Sequence, residues 1–282
     1  GRGAEFTERL KTERRIGQRV GEVINTSVLG INNMKLEGLL ASVADELPAL
    51  REKGVWRVEP TAFDPQDKAN LMFRIIEYAP YINTKVVKPG EIPKTWKDLL
   101  GPRWTGNMAL NNTLISPTPY TLMVVLLENK VWDEDYIRAL YRQKLRLPIS
   151  DPEVLRMLTA GEVHLSINSA DAWAPTFVRE GAPIQAIAIE DIVIVVGTNV
   201  AALAGAPHPN ASRVFMNWLF SAEGQAVLAE AIGNKVMRKD VPDPRPKAVQ
   251  APATKYFITT LEQVEKSSQL FSEKWFDKVV GR

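Results

Sequence analysis

The chain of 282 residues contains no cysteine and only two histidines. Without cysteine it has no disulfide, no thiolate metal ligand and no cysteine nucleophile. Two histidines are too few for a histidine-rich metal site, and we interpret both His164 and His208 as structural. The sequence also lacks a G-x-S-x-G elbow, an H-E-x-x-H pair, a P-loop and a dinucleotide-binding glycine fingerprint. We therefore expect no enzyme activity, no cofactor and no metal site.

Long apolar runs and blocks of like charge are missing as well. No apolar stretch reaches the roughly 18 residues that a membrane-spanning helix needs. The formal net charge is +2, and lysine and arginine alternate with aspartate and glutamate, so nucleic acid is not an expected partner. The longest apolar segment, Ile192 to Ala204, is rich in β-branched residues and bounded by Asp191 and Gly205, which is typical of a buried strand.

Predicted strands and helices alternate along the chain, which favours an α/β fold with largely parallel sheets. Ser150 is a strong helix start, with Pro152 in the first turn and Glu153 three residues after the cap. A strand is predicted from Leu71 to Tyr78, and Pro80 is expected to end it. The segment from Ala253 to Val280 is predicted to be helical and amphipathic.

The segment Ala206 to Gln225 reads as a proline-bearing turn followed by two helices. Asn210 is the expected N-cap of the first helix, and Ser221 of the second. Its sequence, APHPNASRVFMNWLFSAEGQ, is similar to the signature of bacterial extracellular solute-binding proteins, the periplasmic receptors of ABC importers. The resemblance is to the branch that includes ferric-iron binders. The segment YINTKVV at Tyr81 and the segment PKTWKDLLGPRWTG from Pro93 to Gly106 also resemble this family.

This resemblance implies an α/β, two-lobe, type II periplasmic-binding-protein-like fold with a ligand cleft between the lobes. Residues 1–78 and 198–282, with the C-terminal helices, would form lobe one, and residues 79–197 lobe two. It further implies a monomeric, periplasmic component of an ABC importer that captures a small solute and delivers it to the inner-membrane permease. In the family a strand, a helix and a second strand precede the position of Gly1, with a signal peptide further upstream, so we expect that segment to be absent from this chain.

Polar loops that follow strands and precede helices are the candidate ligand contacts, because helix-start N–H groups and hydroxyls favour an anionic solute. At each of them an ordinary turn, cap or packing role is the competing interpretation. The candidate ligand-binding residues are Arg2, Gly3, Asn25, Thr26, Ser27, Ser116, Thr118, Tyr120, Ser150, Asn168, Ser169 and Asp171.

Whether the chain binds ferric ion depends on the segment that contains Ala170 and Asp171. Ferric-binding members of the family present two adjacent tyrosines there, and this sequence has Ala170 and Asp171 instead. Phenolate oxygens suit the hard ferric ion, so the substitution favours a small polar, anionic organic solute. A ferric-iron-binding role through other residues, or an enzyme on the same fold, remains the alternative.

Overall fold

The computed structural model describes residues 2–112 and 118–281, without the side chains of residues 2–4 and 118. The first unit contains α1 (Arg2–Ile16), β1 (Val23–Thr26), α2 (Val28–Leu36), β2 (Leu40–Ala41), α7 (Pro209–Phe220) and α8 (Ala222–Ile232). It also contains the first part of β3 (Leu71–Asn83) and the second part of β7 (Ile192–Leu203), two strands that it shares with the second unit. The remaining elements are β4 (Met108–Ala109), α3 (Thr118–Glu128), α4 (Glu134–Arg142), α5 (Asp151–Ala160), β5 (Leu165–Ala170), α6 (Ala174–Arg179), β6 (Ile184–Ala186), β8 (Lys255–Ile258), α9 (Leu261–Ser272) and α10 (Trp275–Val280). Within this part of the chain, no helix is both long and apolar enough to cross a membrane.

The chain divides into two compact units, and it passes between them three times. The first unit comprises the residues up to Ile75 together with Gly197–Pro244, and the second comprises Ile76–Val196 and the residues from Arg245 onward. Strands β3 and β7 each contribute residues to both units. In the first unit β1 and β2 pair with the second half of β7, both antiparallel.

The second unit contains both parallel and antiparallel strand pairs. There β4 pairs with β5 in parallel and β8 pairs with the first half of β7 in parallel. Strand β3 runs antiparallel to both β5 and β6. The second unit is therefore a mixed sheet, and its parallel pair β4–β5 brings two strand carboxyl ends to the same edge.

Pro80 does not end its strand, contrary to the sequence prediction. Strand β3 continues to Asn83, and the register of β3 against β5 shifts between Ala79 and Tyr81. A proline has no N–H for the ladder and is tolerated where a bulge interrupts the pairing. The carbonyl oxygen of Pro80 still accepts a hydrogen bond from the N–H of Ile187.

The C-terminal helices belong to the second unit, which corrects the prediction that they pack on lobe one. Helix α9 packs along α3, and α10 packs against α4. The contact is driven by aromatic burial, since the ring of Tyr120 lies 5.5 Å from that of Phe271 and 6.5 Å from that of Phe276. Spacing along the sequence gave the amphipathic pattern of these helices without indicating which surface they cover.

Helix starts were predicted with mixed success. Ser150 caps α5 and Ser221 caps α8, each accepting a hydrogen bond from the backbone N–H three residues later. Asn210 is not a cap, because α7 begins at Pro209 with His208 as the N-cap residue. Proline is well suited to the first helical position, and the helix therefore begins two residues before the start that an Asn210 cap would give.

The second unit has a continuous apolar core. Trp96 packs edge-on against Trp132 at 5.1 Å, among the buried side chains that line β4, β5, α3 and α4. In the first unit the buried Arg238 lies over the ring of Trp56 at 5.3 Å and pairs with Glu52 and Asp240. Each unit therefore has its own interior to hold its polar loops in place.

Candidate functional site

Three polar segments meet at one end of the second unit. Met108 pairs with Leu165 and Ala109 with Ser166 across β4 and β5. Helix α5 begins beside them, because the backbone N–H of Ala170 donates to the Asp151 carboxylate at 3.3 Å. Carboxyl ends of neighbouring parallel strands together with a helix N-terminus are a common ligand-binding arrangement in α/β proteins.

The carboxylate of Asp151 organises this edge. It also accepts a hydrogen bond from the side chain of Asn111, and its burial raises its pKa above the ordinary value. Asn111 is 5% exposed and Asn168 is 2% exposed. Among residues 2–112 and 118–281, the side-chain oxygens of both asparagines have no hydrogen-bond partner.

Asp171 takes part in a buried ion cluster. One carboxylate oxygen accepts the backbone N–H of Glu77 at 3.0 Å, and the other contacts Nη1 of Arg245 at 2.5 Å. The same Arg245 nitrogen lies 2.8 Å from the carboxylate of Glu77. Burial outweighs the attraction of Arg245 and raises the pKa of Asp171 to about 6. Asp171 is therefore anchored by protein groups and supplies no free oxygen pair to a ligand.

Ser169 and Ser150 are both occupied by local hydrogen bonds. The Ser169 hydroxyl lies 2.5 Å from that of Ser166, and both residues are fully buried. The Ser150 hydroxyl accepts the N–H of Glu153. These contacts give both serines a structural role in the second unit.

The first unit has a separate polar segment, at the end of β1. Ser27 is exposed and caps α2, with its hydroxyl 3.2 Å from the N–H of Gly30. The first turn of α2 contains no acidic residue. The N–H groups of Val28 and Leu29 are among the first four of the helix, which have no partner within it. This helix start has a positive electrostatic potential that its own residues leave uncompensated.

A chain of amide side chains holds this segment in the sheet, and two of its members, Asn70 and Asn199, are fully buried. The Asn25 side chain donates to the carbonyl oxygen of Asn199 at 2.7 Å, and the Asn199 side chain donates to Asn70 at 2.7 Å. Thr26 pairs directly with Asn199 in the sheet. The predicted contacts Asn25, Thr26 and Ser27 therefore lie together, although Asn25 is committed to holding the strands.

Five predicted contacts are either corrected by the structure or cannot be judged from the described residues. Arg2 and Gly3 are inside α1 rather than in a loop before it. Tyr120 is a core residue, 2% exposed and packed on Phe271, so it does not face a ligand. Ser116 lies outside the described residues, and Thr118 is described only as the first residue of α3.

Sequence reasoning missed Glu77, Arg245 and Asn111. Asn111 had a usable signal, because it follows a predicted strand directly. Arg245 had none: it lies 74 residues from Asp171 and 168 from Glu77 along the chain. Only folding could show that these charges pair.

In residues 2–112 and 118–281, no group of three or more histidine, aspartate and glutamate side chains is arranged to hold a metal ion. At the segment where the resemblance implied a tyrosine pair in ferric-binding members, Ala170 is buried in β5 and Asp171 is held by Arg245.

Comparison with known proteins identifies the family. The family model described as "Bacterial extracellular solute-binding protein" matches residues 33–255. A curated relative from Haemophilus influenzae, called an uncharacterized protein, is 28% identical over 144 residues, which cover 48% of this chain. The match spans 39% of that relative's own length.

Solved structures share the fold at low identity. The Bordetella ferric binding protein has a TM-score of 0.76 at 16% identity, covering 97% of this chain and 87% of its own. The Trichodesmium protein IdiA (FutA), in complex with iron and citrate, has a TM-score of 0.74 at 17% identity, covering 99% and 89%. AfuA from Actinobacillus pleuropneumoniae, with fructose-6-phosphate bound, has a TM-score of 0.64 at 17% identity, covering 98% and 88%. These similarities show the two-lobe periplasmic-binding-protein fold.

Proposed function

Because this chain belongs to the family of bacterial extracellular solute-binding proteins, we propose that it captures a small anionic organic solute in the periplasm and delivers it to the permease of an ABC importer. In this role the protein binds and releases its solute unchanged. Members of the family are transport binding proteins rather than enzymes.

The start of α2 is the observation that carries the anionic character of the solute. Its first turn has no carboxylate of its own, and its cap residue Ser27 is exposed. Helix α5 provides the contrast within the same chain, because Asp151 and Glu153 occupy its first turn. A helix start without acidic residues attracts anions, whereas one with acidic residues is already compensated.

Among the similar structures, one is named a ferric binding protein, one is a complex with iron and citrate, and one has a sugar phosphate bound. Of these two ligand classes, the organic anion fits this chain better. The second unit has Ala170 and a salt-bridged Asp171 where phenolate ligands would be required. Ferric-iron carriage is the second candidate and is tested separately below.

A substitution at the second residue of α2 tests the proposal. Leu29→Asp places a carboxylate among the N–H groups that would face the anion, while the charge itself is favourable for the helix. Leu29→Asn is the matched neutral control, since it makes the same change in shape. By calorimetry with glycerol 3-phosphate, hexose phosphates and citrate, we expect at least one of these anions to bind. We expect Leu29→Asp to weaken that binding at least five-fold more than Leu29→Asn does.

Equal effects of the two Leu29 variants on binding would remove α2 from the site. Failure of every organic anion to bind, with tight binding of a cation instead, would overturn the proposed solute class. Turnover of any bound compound would contradict a transport role.

A further inference from the structure

An open groove of about 710 Å³ lies on the surface of the second unit, beside β4. Three of the seven residues that line it are basic, and none of the seven is acidic. The three basic residues, which we call the groove cations, are Arg142, Lys144 and Arg146. Clefts lined by charge of one sign concentrate ions of the opposite sign. The groove therefore attracts an anionic partner.

The groove cations are not neutralised within the part of the chain that the structure describes. Each of them is exposed, and none has an ion-pair partner there. Arg138, one turn earlier in α4, shows the contrast, because it is paired with Glu134 and Asp135. The charge of the groove cations is therefore available to a partner from outside the chain.

The burial pattern of residues 141–147 keeps these charges on the surface. Tyr141, Leu145 and Leu147 are partly buried and pack against the core of the unit. The ring of Tyr141 lies 5.4 Å from that of Phe276 in α10. The groove cations alternate with these apolar residues and are exposed. The apolar residues therefore anchor the segment and leave the cations accessible.

Backbone hydrogen bonds fix the same segment along β4. The N–H of Arg146 donates to the carbonyl oxygen of Met108 at 2.9 Å, and the N–H of Leu110 donates to that of Arg146 at 3.0 Å. Nearer to α4, the N–H of Gly106 donates to the carbonyl oxygen of Gln143 at 2.7 Å. A backbone that is already fixed loses little conformational entropy when a partner binds. The groove is therefore preformed for its partner.

The other side chains of the groove are apolar and only partly buried. Tyr141, Leu145 and Val280 line it together with the groove cations. None of the seven lining residues is a buried polar residue. An enclosed site for a small solute places polar groups around its ligand, whereas a membrane surface presents anionic headgroups above apolar chains. Exposed cations beside apolar side chains match that surface.

We propose that the groove binds the anionic headgroups of a phospholipid membrane and so holds the second unit at the membrane surface. The proposal goes beyond the proposed function and does not depend on which solute the protein carries. Lipid headgroups diffuse within the membrane and gather at exposed cations without needing a matched rigid surface. Attachment of this kind keeps a solute receptor beside the membrane that contains its permease.

Vesicle flotation with the whole chain at low ionic strength tests the proposal. We expect the protein to float with vesicles of phosphatidylcholine that contain about one-third phosphatidylglycerol, because these carry negative surface charge. It should not float with vesicles of phosphatidylcholine alone. High salt should release it from the anionic vesicles, because salt screens the attraction.

Substitution of the groove cations tests whether this groove is the surface that binds. Arg142→Gln/Lys144→Gln/Arg146→Gln should lower the partition coefficient at least ten-fold, since each basic residue near an anionic membrane contributes about five-fold. Arg142 lies in the last turn of α4, where a positive charge also stabilises the helix. Lys144→Gln/Arg146→Gln avoids that effect and should lower the partition coefficient at least four-fold.

A matched control variant removes the same charge from another part of the surface. Lys53→Gln/Arg179→Gln/Lys239→Gln changes three exposed cations that do not line the groove. It should lower the partition coefficient less than three-fold. Equal losses in the groove variants and in this control would overturn the proposal, because net charge alone would then explain the binding.

The remaining outcomes concern the class of partner. Failure of the wild type to float with anionic vesicles, or equal flotation with both kinds of vesicle, would overturn the proposal. So would groove-dependent binding of polyglutamate or of inorganic phosphate without binding of vesicles, in favour of an acidic protein or a small anion. None of these results bears on solute capture, which the calorimetric titrations of the Leu29 variants test separately.

Discussion

Single polar residues near the start of α5 and the end of β5 have different roles, according to the groups that they contact. Ser150 caps a helix start and Asp171 is held by Arg245. The oxygen of Asn168 has no partner in the part of the chain that the structure describes. All three were predicted as ligand contacts because they are polar and follow or precede regular elements. The contacts in the folded protein, rather than residue type, distinguish a cap from a ligand-binding group.

Ser150→Ala should destabilise the protein by about 1 kcal/mol, within a range of roughly 0.5–2 kcal/mol, because the N–H of Glu153 loses its acceptor. Urea unfolding followed by circular dichroism measures the change. Ser272→Ala removes an exposed serine hydroxyl that caps no helix start and should shift the free energy of unfolding by less than about 0.5 kcal/mol. An equal effect of both variants would remove the capping role.

Asp171 predicts a dependence of stability on pH. Its pKa is raised from 3.8 to about 6 by burial in the folded protein, so between these values the folded state binds more protons than the unfolded chain. This carboxyl therefore adds stability as the pH falls from about 6 toward 4, and the added stability is lost as the pH rises through 6. The full effect is at most about 3 kcal/mol, at about 1.4 kcal/mol for each pH unit between the two values.

The variant Asp171→Asn isolates this contribution. The free energy of unfolding of the wild type, minus that of the variant, should become more favourable to the wild type between pH 7.5 and pH 5. Asp135→Asn removes an exposed carboxylate of the same unit and should give a difference that changes little over this range. A flat difference for Asp171→Asn would show that its carboxylate stays ionised.

At the scale of elements, the packing of α9 along α3 is the contact that sequence patterning did not predict. The hydroxyl oxygens of Thr121 and Ser267 lie 3.1 Å apart across these helices. Helix α9 is amphipathic, whereas α3 is apolar and buried on nearly all sides, and an apolar helix face is compatible with many apolar surfaces. The aromatic cluster around Tyr120 supplies the specific surface.

Disulfide trapping tests this packing, and the absence of native cysteine gives it a clean background. Thr121→Cys/Ser267→Cys should form an intramolecular disulfide on mild oxidation. The oxidised form should be about 2–4 kcal/mol more stable than the reduced form, because the bond closes a long loop. Thr121→Cys/Ser272→Cys moves the second thiol five residues along α9 and should remain largely reduced. The opposite pattern would place α9 elsewhere.

At the scale of the whole molecule, the choice between an organic anion and ferric ion depends on where the tyrosines are. Tyr81, Tyr120 and Tyr136 have pKa values raised by burial. Burial disfavours the phenolate form that a ferric ligand requires. These three side chains therefore serve packing rather than metal binding.

Titration with ferric citrate should produce no visible tyrosinate–iron charge-transfer band. Citrate alone is the reference, because it is an anion that the proposed site can accept. A strong stoichiometric band that disappears in Tyr78→Phe would contradict this prediction. Tyr78 is the informative variant, since it pairs with Ala170 in the sheet, at the segment where the tyrosine ligands were expected.

The sequence by itself determined the local features and the family. The β-branched run of β7, the caps Ser150 and Ser221, and the turn-and-helix segment after Ala206 are all encoded within short stretches of chain, since caps and strands depend on neighbouring residues. The segments at Asn25–Ser27 and Asn168 could be found because polar residues at strand ends are a local signal.

Only the tertiary structure decided which distant groups meet. It made Pro80 part of a continuous strand by adding a bulge, placed Tyr120 in an aromatic core, and paired Asp171 with an arginine that lies far along the chain. It also linked Asn111 to the end of β5, because the Asp151 carboxylate accepts hydrogen bonds from the Asn111 side chain and from the N–H of Ala170. Burial, pKa shifts and unmet hydrogen bonds arise from long-range packing, which no local pattern of residues contains.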